Sequence, residues 1–156
     1  MTTTNQMMTD EEWAAAKDKM VADCPLIFRK SPPPTEGQKR RRGFYFEIGR
    51  GWYEPVRKAC LALERIAENM DAPDPDGDGL DLRPRALQIK EKFGGLRFYL
   101  NGSAPGADEI VQIAEEECAK ICEKCGAPGQ RRDDLGWVTT LCDTHYDGAK
   151  KEKHKE

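Results

Sequence analysis

Residues Ile121–Tyr146 read ICEKCGAPGQRRDDLGWVTTLCDTHY and hold three of the chain's six cysteines and one of its two histidines. Cys122 and Cys125 form a C-x2-C pair, Cys142 and His145 a C-x2-H pair, and residues 126–141 separate them. A two-residue spacing suits a tight backbone turn that brings two side chains to one ion. Three thiolates and an imidazole are an established tetrahedral set for structural zinc. Gly126 directly follows the second cysteine, where such a turn asks for a positive φ. The intervening PGQRRDDLGWVTTL predicts two short strands around DDLG, and CDTHYDGAKKEK predicts a polar helix starting at the second ligand pair. Knuckle, hairpin and helix-borne pair, in that order, are the treble-clef arrangement. The expected cofactor is therefore Zn2+, held by Cys122, Cys125, Cys142 and His145.

Other readings of these cysteines are weaker. A redox C-x-x-C sits at a helix N-terminus, where the dipole favours thiolate. Cys122 instead falls at the end of the helix expected before it. Cys118 lies one turn earlier and can substitute for a ligand, but its place on an apolar stripe favours the core. Disulfides need an oxidising compartment. The opening MTTTNQMMTDEEW lacks the basic and apolar segments of a secretory signal, which predicts a cytoplasmic protein with reduced thiols.

Four protein ligands leave a zinc ion no open position for water, so an inert, structural site is expected. Beyond His145 the only histidine is His154, in a lysine-rich tail, which leaves a nucleophilic site without a base. The extra histidines of a zinc-supported HNH nuclease and the lysine pattern of a phosphate loop are missing. The sequence thus predicts a non-enzymatic protein. A metal-dependent nuclease or other hydrolase using acidic residues is the remote alternative.

Upstream, ALQIKEKFGGLRFYLNG (residues 86–102) alternates apolar and polar residues on both sides of Gly94-Gly95, a hairpin signature. Leu87, Ile89, Phe93, Leu96, Phe98 and Leu100 are expected to face the core. Lys90, Lys92, Arg97 and Tyr99 are expected on the outer face. Helix three should run from about Pro105 to Cys122, with Ser103 as cap and Ile110, Ile113, Ala114, Cys118 and Ile121 as its apolar stripe. Helix two should start near Trp52 or Glu54 and bury Trp52, Val56, Cys60, Leu63, Ala67 and Met70. Helix one follows Thr9, with Glu12 completing a capping box and Trp13, Ala16, Met20 and Val21 near one face; Pro25 ends it. PLIF (residues 25–28) is a short strand or anchor, and FYFEI (residues 44–48) a short strand. APDPDGDGLDLRP (residues 72–84) is an acidic loop. Asp74, Asp76, Asp78 and Gly79 match the start of a calcium loop, but its twelfth position is Arg85 instead of Glu.

The 156 residues are 38% hydrophobic and 34% charged, with net charge −3 and pI about 5.6. That leaves a modest core, helped by a metal staple, and excludes a protein wholly devoted to coating nucleic acid. No apolar run is long enough to span a bilayer. The expected organisation is an N-terminal helix and anchor (1–30), a Pro/Arg-rich linker (31–42), an α+β core (43–117), a zinc module (118–148) and a charged tail (149–156). The fold class is α+β: three helices packed on a small antiparallel sheet, with the zinc module appended.

GRGWYEPVRKAC, QIKEKFGGLRFYLNG and CEKCGAPG…GWVTTLCDTH together resemble a family of small proteins of bacteriophages and prophage-bearing bacteria, over about residues 43–146. The family carries no established activity, so the resemblance implies a setting: small phage proteins that bind and redirect host machinery, including inhibitors of bacterial immunity. The expectation is a zinc-stabilised binding protein that contacts a host protein or complex through Lys90, Lys92, Arg97 and Tyr99. The alternative is a nucleic-acid-binding treble clef, with Arg40, Arg41, Arg42, Arg131 and Arg132 on phosphates and Trp137 at a base.

Overall fold

The computed structural model describes residues 7–29 and 46–153. Among these, helix α1 spans Asp10–Asp23, strand β1 Phe46–Glu47, a 3-10 turn Arg50–Trp52, α2 Tyr53–Glu68, β2 Arg85–Lys92, β3 Gly95–Asn101, α3 Ala107–Cys118, β4 Gln130–Arg132, β5 Thr139–Leu141 and α4 Asp143–Lys153. The architecture is α+β. Among the described residues there are four α-helices, the fourth belonging to the C-terminal module, and two small sheets.

Local chemistry explains most boundaries. Thr9 Oγ1 accepts from Glu12 N–H and Glu12 Oε1 accepts from Thr9 N–H, the full capping box at the start of α1. Trp13 and Met20 bury there, while Val21 turns out to solvent. The 25–28 segment is a turn, not a strand. Leu26 and Ile27 donate their N–H groups to the carboxylate of Glu64 at 2.9–3.0 Å. Glu64 is itself buried on α2, a residue the apolar stripe does not announce.

The 3-10 turn buries Trp52 and feeds α2, which buries Val56, Cys60, Leu63 and Ala67; Met70, just beyond α2, is half-buried. Helix α3 starts later and stops earlier than its pattern suggests. Its N-cap is Gly106 at φ 87, so Ser103 caps nothing. The helix ends at Cys118, a turn before the first knuckle cysteine. The buried stripe is Ala107, Ala114 and Cys118, with Ile110 and Val111 partly covered, and Ile113 is exposed.

β1 pairs parallel with β2, and β2 antiparallel with β3. The hairpin turn is Phe93-Gly94, at φ 55 and 79, one residue earlier than the double glycine implies. Two positive φ values in a two-residue loop give a type I′ turn, whose twist matches the strands. Two inward assignments fail as a result. Phe93 lies on the turn with 64% of its surface exposed. Leu87 sits at a bulge between Ala86 and Gln88, and Ala86 takes the buried place. Ile89, Leu96 and Phe98 do face the core.

Candidate metal centre

The centre is built on two short backbone devices. In the first, Ile121 bridges Pro128, Cys122 N–H donates to Ala127 O at 2.7 Å, and Gly126 N–H donates to Cys122 O at 2.9 Å. These bonds close a knuckle around Cys122 and Cys125, and Gly126 at φ 83 supplies the left-handed step. In the second, β5 delivers Cys142 to the start of α4. Tyr146 N–H donates to Cys142 O, and His145 N–H points at Cys142 Sγ at 3.4 Å.

The ligand atoms of Cys122, Cys125, Cys142 and His145 all lie within 4.8 Å of one another, so the four can hold a single metal ion. Cys125 Sγ and Cys142 Sγ are 3.8 Å apart. His145 Nδ1 is 3.6 Å from Cys122 Sγ and 3.2 Å from Cys142 Sγ. Cys122 is fully buried, and Cys125, Cys142 and His145 are half-buried. Burial pushes the Cys125 thiol up to about 11. Burial also opposes ionisation of Cys122, yet hydrogen bonds from the Cys142, Cys125 and Lys124 backbone hold that thiol below its ordinary value. Cys118, fully buried in the main core and pushed up to about 12 by burial, is outside the cluster. None of the six cysteines forms a disulfide.

The knuckle is fastened to the rest of the protein through close glycine contacts. Gly51 N–H donates to Glu123 O at 2.7 Å, and Trp52 Nε1–H donates to Ile121 O at 2.8 Å. A Cβ on Gly51 would lie 2.1 Å from Cys122 O and 2.6 Å from Gly126 N. Glu123 reaches back, its Oε2 accepting from Gly49 N–H at 3.0 Å, while its own N–H bonds Thr140 O. Burial raises the Glu123 carboxyl against that Gly49 bond. The hairpin tip joins the same assembly: Thr140 Oγ1 donates to Gly94 O at 2.6 Å, and Gly94 packs on the Thr139 backbone. Nothing local in GRGW announces it as the seat of the knuckle.

The other sequence-named residues divide. The β2–β3 register sets Lys90 opposite Arg97 and Gln88 opposite Tyr99, so Lys90, Lys92, Arg97 and Tyr99 share one face of the hairpin. Among the described residues none of the three cations there makes an ion pair. Lys92 Nζ instead sits 5.6 Å from the Phe93 ring centroid. Arg132 is engaged internally: it donates to Leu141 O, pairs with Asp143 at 2.7 Å and stacks on Tyr146. Arg131 is exposed, as is Trp137. Arg40, Arg41 and Arg42 lie outside the described residues. No helix among the described residues is long and apolar enough to cross a membrane.

Comparison with protein-family models, curated proteins and solved structures returns no match, so the functional reading rests on this chain's own residues.

Proposed function

We propose that this protein is a zinc-stabilised, non-catalytic binding protein that uses the outer face of its β2–β3 hairpin to contact an acidic surface of a host macromolecule. The likeness to small phage proteins supplies the setting of an accessory or anti-defence factor. Zinc is favoured by the spacing of the ligand atoms. With Zn–S near 2.3 Å and Zn–N near 2.0–2.1 Å, a tetrahedron has S···S edges of about 3.8 Å and S···N edges of about 3.6 Å. The Cys125–Cys142 and Cys122–His145 separations match these edges, and the Cys142–His145 separation, at 3.2 Å, is shorter. The knuckle, two-stranded sheet and ligand-bearing α4 follow one another as in a treble clef. Zinc there fixes the knuckle, the knuckle seats GRGW, and β5 holds the hairpin tip.

The single observation that carries the binding role is that hairpin face. Lys90, Lys92 and Arg97 stand together beside Tyr99, which is 46% exposed, and none of the three forms an ion pair among the described residues, although Glu47 of β1 is the register neighbour of Lys90. Adjacent like charges cost stability in the free protein. An acidic partner removes that cost and steers association. Phe93, exposed at the tip, adds an apolar anchor. Lys90→Glu with Arg97→Glu is expected to abolish capture of host partners identified by mass spectrometry, with far-UV circular dichroism unchanged. An unaltered set of captured proteins rejects this face.

Exposed Trp137 and Arg131 on the zinc module favour one second reading, nucleic-acid binding. Gel shifts at low and moderate salt decide it: cationic contacts to phosphate give steep salt dependence, and no shift at either salt ends it.

A further inference from the structure

β2 carries Arg85 at its first position and Lys92 at its last, so the two ends of the hairpin lie about 23 Å apart. At the Arg85 end is a cleft of about 660 Å³, lined by Arg29, Arg85 and Asn101 and walled by Pro73, Leu80 and Leu82. Leu80 is 63% exposed.

Two guanidinium groups, of Arg29 and Arg83, meet here on one carboxylate, and that of Arg85 lies near Arg29. Asp81 takes a two-pronged bond from Arg83, both at 2.9 Å, and an ion pair from Arg29 Nε at 3.1 Å. The Arg83 bond holds the Asp81 carboxyl down at about 2, so it stays an anion committed to those two partners. Arg29 places its remaining donors on the carbonyls of Leu26, Arg83 and Pro84. Arg85 is the exception. Its Nε is buried without an acceptor, and its side chain makes no hydrogen bond or ion pair among the described residues. Buried polar groups in folded proteins are almost always satisfied, so a guanidinium without an acceptor stands out. The nearby acidic residues do not supply one. Asp74 and Asp78 turn their Oδ1 atoms onto the N–H groups of Asp76 and Leu80 in their own loop.

We propose that this cleft binds a carboxylate carried on an apolar body, with Arg85 as the residue that recognises it. A carboxylate in the cleft meets the two Nη groups of Arg85, whose parallel N–H bonds match its two oxygens, since Nε is closed to solvent. Asn101, whose Oδ1 already accepts from Gly102 N–H, keeps its amide N–H groups for the same ligand. Pro73, Leu80 and Leu82 fit an apolar body, the mixture expected of a small-ligand cleft. A phosphate dianion fits less well, because only one guanidinium is uncommitted and the loop carrying Asp74, Asp76 and Asp78 repels a second negative charge.

The test uses the full, metal-loaded chain and three probes: N-acetylleucine, its neutral amide, and inorganic phosphate. The ¹⁵N resonance of Arg85 Nε and the amides of Leu82 and Gly102 are followed on titration. The expected result is a saturable shift with N-acetylleucine only, weakened about tenfold in Arg85→Lys, which keeps the charge but loses the fork. Equal shifts with acid and amide, no saturable shift with any probe, or saturation by phosphate alone each overturn the proposal. The wild-type comparison of acid with amide decides the matter even if Arg85→Lys folds poorly. It is also independent of the hairpin face, which these probes do not touch.

Discussion

Phe93 holds a backbone conformation that a bulky residue adopts only at a cost, and its ring gains no burial in return. Type I′ turns prefer Asn-Gly. Phe93→Asn is therefore expected to stabilise the protein by about 1 kcal/mol in urea unfolding while weakening partner capture. A stability loss would show that the ring packs usefully in the free protein. Gly51 presents the opposite case, a residue chosen for lack of volume. With Cys122 O and Gly126 N so close, Gly51→Ala forces the knuckle off the 3-10 turn. A loss of about 3 kcal/mol and faster metal release to a chelator are expected. Unchanged release kinetics would mean that the knuckle tolerates the displacement.

At the scale of elements, Glu64 links α2 to the turn that follows α1, which it holds through the Leu26 and Ile27 N–H groups. Glu64→Gln supplies one acceptor oxygen and adds donors that have no acceptor, so a loss of about 2 kcal/mol is expected. Faster amide exchange at Leu26 and Ile27 is the check. The Asp81 clamp between the acidic loop and Arg29 carries a pH signature. Its folded value, about 2, lies below the ordinary 3.8. Its contribution is thus present above about pH 4 and disappears as pH falls through 2. Asp81→Asn should be less stable than the parent above pH 4, and the two should converge towards pH 2. A gap that stays constant over that range would rule out the ion pair as its source.

For the whole molecule, the metal centre and the main core are one mechanical system. Trp52 donates to Ile121 O, Gly51 to Glu123 O and Thr140 to Gly94 O, so the knuckle and β5 hold both the start of α2 and the hairpin tip. Structural zinc contributes roughly 10–16 kcal/mol of apparent binding energy, as much as a domain's whole stability. Strong chelator should therefore unfold residues 118–153 and also raise amide exchange at Gly51 and perturb Trp52 fluorescence. Protection retained at Gly51 would show that the module unfolds by itself. Elemental analysis should find one zinc per chain.

The chain's own letters determined what depends on near neighbours. Cys122, Cys125, Cys142 and His145 were legible because ligand pairs two residues apart are a local device, and Gly126 marked the turn that joins one pair. The capping box at Thr9 and the period-2 strands were legible for the same reason. Tertiary structure alone decided the rest. Phe93 reads as an inward residue until the register fixes the turn one position earlier. Ile113 reads as core beside Ala114 and Cys118, but α3 buries those two with Ala107 and leaves Ile113 in solvent. Arg132 reads as a phosphate ligand until Leu141, Asp143 and Tyr146 occupy it. Glu64 beside Leu26 and Gly51 beneath Cys122 are meetings of distant residues. Periodicity records which side of an element is apolar; which partner fills that side, and which charge is left without one, is fixed only when the chain closes on itself.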